Sequence, residues 1–348
     1  MKALVLDKAY NYKVKDVELP TLQDDEVLIE VKASGICTND LRDYKGGSIY
    51  SLPRIGGHEY SGVIHSVGSK VNKKRFAIGK RAVAYIIPAC GECYFCKRNE
   101  ENLCEDVPSS KTFQNEGGIS GFGGFAEYVA VKARDVYIYE NEVPFEIMAM
   151  TEPLACVISS VNKCNVQFGD DVVIIGGGYM GLLHLLVAQR KGARVFLSEP
   201  DESRRKLAIS YGCTAAFDPT KYDVVDEVKK LTGGRGAEVV FDTTSIAKVA
   251  QQAIEMTCPG GRCMLFSSIH PNTPIALDAG RVHSKEIEIL GSVSPTVLTF
   301  NQAVLMLDKK IIDPEFLIHK VLPFTDVDLA FQEALKPDTF KVIMKFNS

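Results

Sequence analysis

The 348-residue sequence has no marked excess of charge of either sign, with forty Lys and Arg against forty-four Asp and Glu and a formal net charge of -4. That balance, unbroken by any run of like charge, excludes the basic field that gathers nucleic acid or anionic lipid. The expected partner is a small molecule. Long hydrophobic runs are also missing. The longest apolar stretches, such as Leu182 to Ala188, fall well short of the roughly 20 residues that cross a bilayer, so no membrane span is expected. The opening Met1-Lys2-Ala3-Leu4-Val5-Leu6-Asp7 lacks the long apolar core of a secretory signal, and the expected location is the cytoplasm. What is present, 46% apolar and 24% charged residues, is the profile of a globular protein, with length for about two domains.

Cysteine is plentiful, at ten residues, and in a reducing compartment clustered thiols point to metal or catalysis before disulfides. Cys90, Cys93, Cys96 and Cys104 form C-x2-C-x2-C-x7-C. Four such thiolates close a tetrahedron around Zn2+ and leave no open position, which describes a structural site. An iron-sulfur cluster is the competing reading, disfavoured because no Cys-Pro follows at the ferredoxin spacing. Cys156, Cys164, Cys213, Cys258 and Cys263 are scattered among apolar residues and read as small buried hydrophobes.

Residues 1 to about 135 show short alternating runs such as Glu26-Val27-Leu28-Ile29-Glu30-Val31-Lys32, punctuated by Gly and Pro, and read as an all-β, barrel-like unit. From about residue 170 apolar runs alternate with helical segments. Strands are expected at 171–175, 194–197, 238–242, 262–267 and 286–291, with helices at 180–190, 203–211 and 246–256. This is the pattern of a parallel sheet covered on both faces. A further helix is expected at 301–307 and a strand at 341–346.

Directly after the run ending at Ile175 comes Gly176-Gly177-Gly178-Tyr179-Met180-Gly181, a G-x-G-x-x-G match between a strand and a helix. Glycines there allow the tight turn, the close approach of backbone to pyrophosphate and the packing of helix on strand, while Tyr179 and Met180 open the helix whose N-terminus faces the phosphates. The next strand leads to Glu199, eighteen residues past Gly181, where a carboxylate accepts the ribose hydroxyls. Glu199 repels a 2'-phosphate and so favours NAD over NADP; Arg204, close behind, softens that preference.

A nicotinamide accepts hydride but does not strip a proton from a hydroxyl, so a Lewis acid or base is also expected. Cys37 lies in Gly35-Ile36-Cys37-Thr38-Asn39-Asp40, His58 and Glu59 in Gly56-Gly57-His58-Glu59-Tyr60-Ser61-Gly62, and Glu152 in Thr151-Glu152-Pro153-Leu154. Singly, these read as a buried thiol, a core histidine and ordinary acids. Together they offer the mixed N, S and O donors of an open catalytic zinc.

At these residues the chain resembles the zinc-dependent medium-chain dehydrogenases over essentially its whole length. Gly57-His58-Glu59-x-x-Gly62 matches that family's zinc signature, and the four-cysteine lobe and Gly124-Phe125-Ala126-Glu127-Tyr128 follow in family order. Glu152-Pro153-Leu154 is similar to the polyol branch, which includes sorbitol (L-iditol) 2-dehydrogenase. The resemblance implies an α/β chain: a GroES-like β-rich catalytic domain from residues 1–155 and 292–348, carrying the zinc lobe at about 88–106, and a Rossmann NAD-binding domain, doubly wound around a parallel sheet, at 156–291. It also implies a homodimer or homotetramer. By the same resemblance Cys37 and His58 match the zinc ligands, Glu59 a direct ligand in sorbitol dehydrogenases, Glu152 the carboxylate that holds water at the metal or moves onto it, and Asp40 the aspartate that orients the histidine.

The implied activity is zinc-assisted hydride transfer between a polyol or secondary alcohol and NAD, with two zinc ions per chain. Two departures bear on it. Asn39 stands where the family places a Ser or Thr of its proton relay, leaving Thr38 as a candidate substitute. Ser292-Val293-Ser294-Pro295 stands where sorbitol dehydrogenases carry an Arg-Tyr pair that contacts the polyol. Arg42, Tyr44 and Arg54 are weaker candidates for gripping hydroxyls or a phosphate. A sugar-alcohol-phosphate (galactitol-1-phosphate-like) or threonine dehydrogenase is the neighbouring alternative, and a noncatalytic nucleotide-binding scaffold is the alternative of a different class.

Overall fold

The computed structural model describes residues 1–47, 52–87, 89–106, 119 and 121–346; Pro88, at the start of the expected zinc lobe, lies outside them. The chain divides into two compact units, Met1–Ala155 with Thr296–Ser348, and Cys156–Pro295. Among the described residues no helix is long and apolar enough to cross a membrane.

The first unit begins with β1 (Lys2–Lys8), β2 (Asn11–Asp16), β3 (Glu26–Gly35), α1 (Thr38–Tyr44), β4 (Arg54–Ile55), β5 (Glu59–Val67), β6 (Arg81–Ala84), β7 (Tyr128–Lys132), β8 (Val136–Ile138), α2 (Phe145–Met148) and the start of α3 (Thr151–Lys163). The second holds β9 (Asp171–Ile175), α4 (Tyr179–Arg190), β10 (Arg194–Ser198), α5 (Glu202–Ser210), β11 (Ala215–Phe217), α6 (Val224–Leu231), β12 (Ala237–Asp242), α7 (Ala247–Met256), β13 (Thr257–Leu265), α8 (Ala279–Lys285) and β14 (Glu288–Gly291). The chain then returns to the first unit with α9 (Val297–Asp308), β15 (Ile318–Pro323), α10 (Val327–Ala334) and β16 (Lys341–Lys345).

In the first unit β2-β1-β4 form a small sheet, and β15-β16-β3-β5-β6-β8, with β7 on β3, form a larger one. The two ends of the chain meet here, since β16 pairs with β3 in the register Ile343 opposite Gly35, and β3 with β5 in the register Gly35 opposite Glu59. Leu4, Leu6, Ile29, Phe125, Phe331 and Phe346 fill the core between them. β1 is buried continuously from Ala3 to Leu6 and β3 at most of its positions, so both faces of these strands are covered.

The second unit is a six-stranded sheet in the order β11-β10-β9-β12-β13-β14, parallel throughout. Counted from β9 this is the order 3-2-1-4-5-6 of the doubly wound dinucleotide fold, whose ligand crevice opens at the carboxyl ends of the first and fourth strands. β9 is buried at every position, as a strand covered on both faces must be.

The sequence reading has no β11, α6, α8, β15 or α10, and three further differences have a local physical reason. The β-rich segment contains α1, whose sequence Thr-Asn-Asp-Leu-Arg-Asp-Tyr has no apolar stripe to announce a helix. The strand expected at 262–267 begins at Thr257, because Ala237 pairs with Thr257 and Val239 with Arg262; the register shift absorbs Pro259, Gly260 and Gly261, which read as a break. The helix expected at 301 begins at Val297, where Thr296 and Thr299 cap each other reciprocally, a box hidden because Thr replaces the usual Glu or Gln.

Candidate active site

In the first unit the ligating atoms of Cys37, His58 and Glu59 lie within 4.8 Å of one another. Cys37 is the N-cap of α1 in extended conformation. Gly57, at φ +81°, turns the chain into His58, and a Cβ there would lie 2.4 Å from the Phe125 ring, so only glycine fits. Glu59 opens β5 opposite Gly35, where a Cβ would sit 2.4 Å from the Glu59 Oε2. The bare backbone of Gly35 is therefore the space the carboxylate occupies.

Asp40, fully buried, accepts from the Cys37 N–H at 3.0 Å and the Gly57 N–H at 3.3 Å, tying both ligand arms together. Its Oδ1 stands 3.8 Å from the His58 Nδ1, beyond hydrogen-bond reach, so it acts on the ring as a charge. Burial works to lower the His58 pKa, but Cys37, Asp40 and Glu152 outweigh it and hold the imidazole well above its ordinary range. Burial pushes the Cys37 thiol up, against the pull of His58. The His58 Nδ1 is buried without a hydrogen-bond partner. A thiol, an imidazole and a carboxylate converging in a buried pocket suit a zinc-sized divalent ion.

Sequence reasoning missed Lys341. This residue opens β16, is 4% exposed, and its Nζ donates to both Glu59 oxygens at 2.8 and 2.6 Å and to the Ile36 carbonyl at 3.1 Å. The signal is nonlocal: 282 positions separate it from Glu59, and only the β16-β3-β5 register brings them together. Glu152, at the start of α3, stands outside the three-residue cluster but acts electrostatically on both His58 and Lys341. Thr38 is exposed at the first position of α1, and Asn39 Oδ1 accepts from the Arg42 guanidinium. Arg54 is buried against Asp43, and Tyr44 packs among Tyr10, Tyr12 and Phe331.

The Cys90, Cys93, Cys96 and Cys104 sulfurs form a second cluster within 4.8 Å. Cys90 to Cys96 and Cys93 to Cys104 are each 3.9 Å, close to the roughly 3.8 Å edge of a tetrahedron with about 2.3 Å Zn–S bonds. Backbone N–H groups of Cys96 and Glu105 bring the Cys93 thiol down to about 7, toward the thiolate that a metal needs.

In the second unit Gly176, at φ +97°, makes the turn out of β9. A Cβ on Gly181 would lie 1.9 Å from the Gly176 carbonyl oxygen, whereas one on Gly178 would meet nothing within 4 Å. The first position is needed for helix-on-strand packing, and the second leaves an open face. Gly178 caps α4 without any side-chain bond, so the N–H groups of Tyr179, Met180 and Gly181 at this helix N-terminus suit an anion. Glu199, directly after β10, accepts from the Gly177 N–H at 2.6 Å and the Asp201 N–H at 2.8 Å. Arg204 lies in the first turn of α5, where its N–H is capped by Asp201. Arg205 donates to the Glu199 and Pro200 carbonyls and pairs with Asp218.

Residues 23–145 match the alcohol dehydrogenase GroES-like domain and residues 180–309 the zinc-binding dehydrogenase domain. L-threonine 3-dehydrogenase of Thermococcus kodakarensis is 32% identical over 355 residues, covering 99% of this chain and 97% of the relative. The chain belongs to the zinc-binding alcohol dehydrogenase family. Sorbitol dehydrogenase of Halalkalibacterium halodurans is 29% identical to this dehydrogenase over 351 residues, 99% of both chains. Among solved structures, a Sinorhizobium meliloti chain described as a zinc-binding dehydrogenase and bound to NADP superposes with a TM-score of 0.90 at 27% identity, covering 99% of each chain. The GroES-like and Rossmann architecture implied by the zinc signature is therefore that of the family.

Proposed function

We propose that this dehydrogenase transfers hydride between a polyol or secondary alcohol and NAD, with one zinc at Cys37, His58 and Glu59 and a second, structural zinc at Cys90, Cys93, Cys96 and Cys104. The observation that carries the reading is the convergence of a thiol, an imidazole and a carboxylate within 4.8 Å in the GroES-like unit. When bound, zinc would lower the pKa of the substrate hydroxyl and NAD would take the hydride.

The chain's own residues do the rest. Asp40 holds the Cys37 and Gly57 backbones and places a negative charge beside His58. Lys341 holds both oxygens of Glu59, so that carboxylate is shared between a fixed ammonium and the metal position. Glu152 is the acceptor for the substrate proton, with Thr38 as a further polar group at the head of α1. In the Rossmann unit Gly176, Gly178 and Gly181 admit the pyrophosphate to the N-terminus of α4. Glu199 accepts the ribose hydroxyls, and its charge favours NAD over NADP.

Absence of an Arg-Tyr pair at 292–295 is a reason to test sugar-alcohol phosphates and threonine beside sorbitol. The catalytic unit is a cytoplasmic homodimer or homotetramer in this reading. The test is elemental analysis followed by reduced-nicotinamide absorbance with sorbitol, galactitol 1-phosphate, threonine and simple secondary alcohols. Two zinc ions per chain and turnover with at least one of these support the proposal. One zinc, at the lobe, and no turnover support the noncatalytic scaffold instead.

A further inference from the structure

Helix α1 carries Cys37 at its N-cap, yet the two side chains it buries completely are carboxylates, Asp40 and Asp43. They lie three positions apart and so share one face of the helix. Asp40 is accounted for by the Cys37 and Gly57 N–H groups. Asp43 meets the Arg54 guanidinium at 2.7 Å, with the two side chains 1% and 2% exposed. Arg54 belongs to β4, which pairs with β1 in the register Leu6 opposite Arg54, and the connection leaving β4 through Gly56 and Gly57 carries His58. The arginine also lies over the Phe122 ring at 5.6 Å, and that ring packs edge-on against His58 at 5.4 Å.

A buried ion pair adds little net stability over apolar residues of the same volume. What it supplies is a tether, because drawing the two elements apart would leave each buried charge uncompensated. Here the pair joins the helix that presents Cys37 to the short strand whose outgoing connection presents His58. We propose that Arg54, acting through Asp43, is a positioning residue that fixes the Cys37 arm at the separation from His58 at which both can hold one ion. The inference rests on the metal site proposed above.

The experiment follows zinc release to EDTA with a metallochromic dye on the full chain, with Cys37→Ser identifying the ion held by Cys37 and the lobe ion serving as internal control. The variant is R54M/D43L, in which neither charge is left buried without its partner. The expected result is a folded protein that loses the Cys37 ion about 10- to 100-fold faster than the wild type, the range for groups that orient metal ligands, with lobe release unchanged. A folded double variant that keeps the Cys37 ion as the wild type does overturns the proposal. Should the double variant not fold, D43N, which keeps the shape and one acceptor, is read in the same way: at least tenfold faster release supports the inference and wild-type release overturns it. A wild type that binds only the lobe ion refutes the metal-site reading itself, an outcome distinct from either.

Discussion

Replacing Lys341 with Met probes the buried pair at the centre of the site. Lys341 supplies a hydrogen-bonded ammonium to both oxygens of Glu59, and both side chains are almost wholly buried. Removing one member of such a pair costs about 3–5 kcal/mol because the remaining charge is left uncompensated. Protonating an ordinary carboxylate at pH 7 costs about 3.7 kcal/mol, which caps the penalty near the middle of that range. For a cooperative unit of about 200 residues, the size of the first unit, 1 kcal/mol moves the melting temperature by about 2–4 °C, so the transition of that unit in metal-free K341M should lie roughly 10 °C below that of the metal-free wild type. Adding zinc gives Glu59 a replacement cation, so the gap should narrow on loading. It should also narrow at pH 5, where the cap falls to about 1 kcal/mol. Thermal melts by circular dichroism, with and without zinc and at both pH values, make the comparison. A metal-free K341M that melts within 2 °C of the wild type at pH 7 refutes the reasoning.

Changing Glu199 to Gln keeps an acceptor for the Gly177 N–H while removing the charge, so the NADP-to-NAD ratio of kcat/KM should rise tenfold or more, about 1.4 kcal/mol; an unchanged ratio shows that this carboxylate does not select the cofactor. His184 is wholly buried between the Met180 carbonyl at 2.8 Å and the Ser160 hydroxyl at 3.0 Å, and burial brings its pKa down to about 4. Because the unfolded chain takes up this proton near pH 6.5 and the folded one near 4, the stabilising effect of the neutral ring is full above 6.5. It is lost as pH falls toward 4, by about 3 kcal/mol; urea melts across that window should show a slope that H184F flattens, and an equal slope in both proteins counts against the assignment. Gly35→Ala places a methyl where the Glu59 carboxylate lies, an overpacking of about 1–3 kcal/mol. It should lower zinc content from two per chain toward one, with full retention of two as the contrary outcome.

Local chemistry made part of this molecule legible from its sequence. The glycines at 176, 178 and 181 and the four lobe cysteines lie close along the chain, so spacing alone carries their geometry. Strands 171–175 and 238–242 were readable because strands buried on both faces are continuously apolar. Helix α1 was not, because its buried face is made of Asp40 and Asp43 instead of an apolar stripe. Lys341 was not, because its partner is supplied by sheet register across 282 positions, and a lysine at the start of an apolar strand ordinarily reads as a solvated end. Thr296 and Gly260 show the same limit on a smaller scale: a cap built from two threonines and a strand that passes through Pro and Gly obey the physics while breaking the usual pattern.

The most direct test of the central claim is anomalous diffraction at the zinc edge from crystals of the zinc-loaded protein. Two peaks per chain are predicted, one inside the four lobe sulfurs and one within bonding distance of both the Cys37 sulfur and a His58 ring nitrogen. A single peak at the lobe, with no density between Cys37 and His58, would contradict the account.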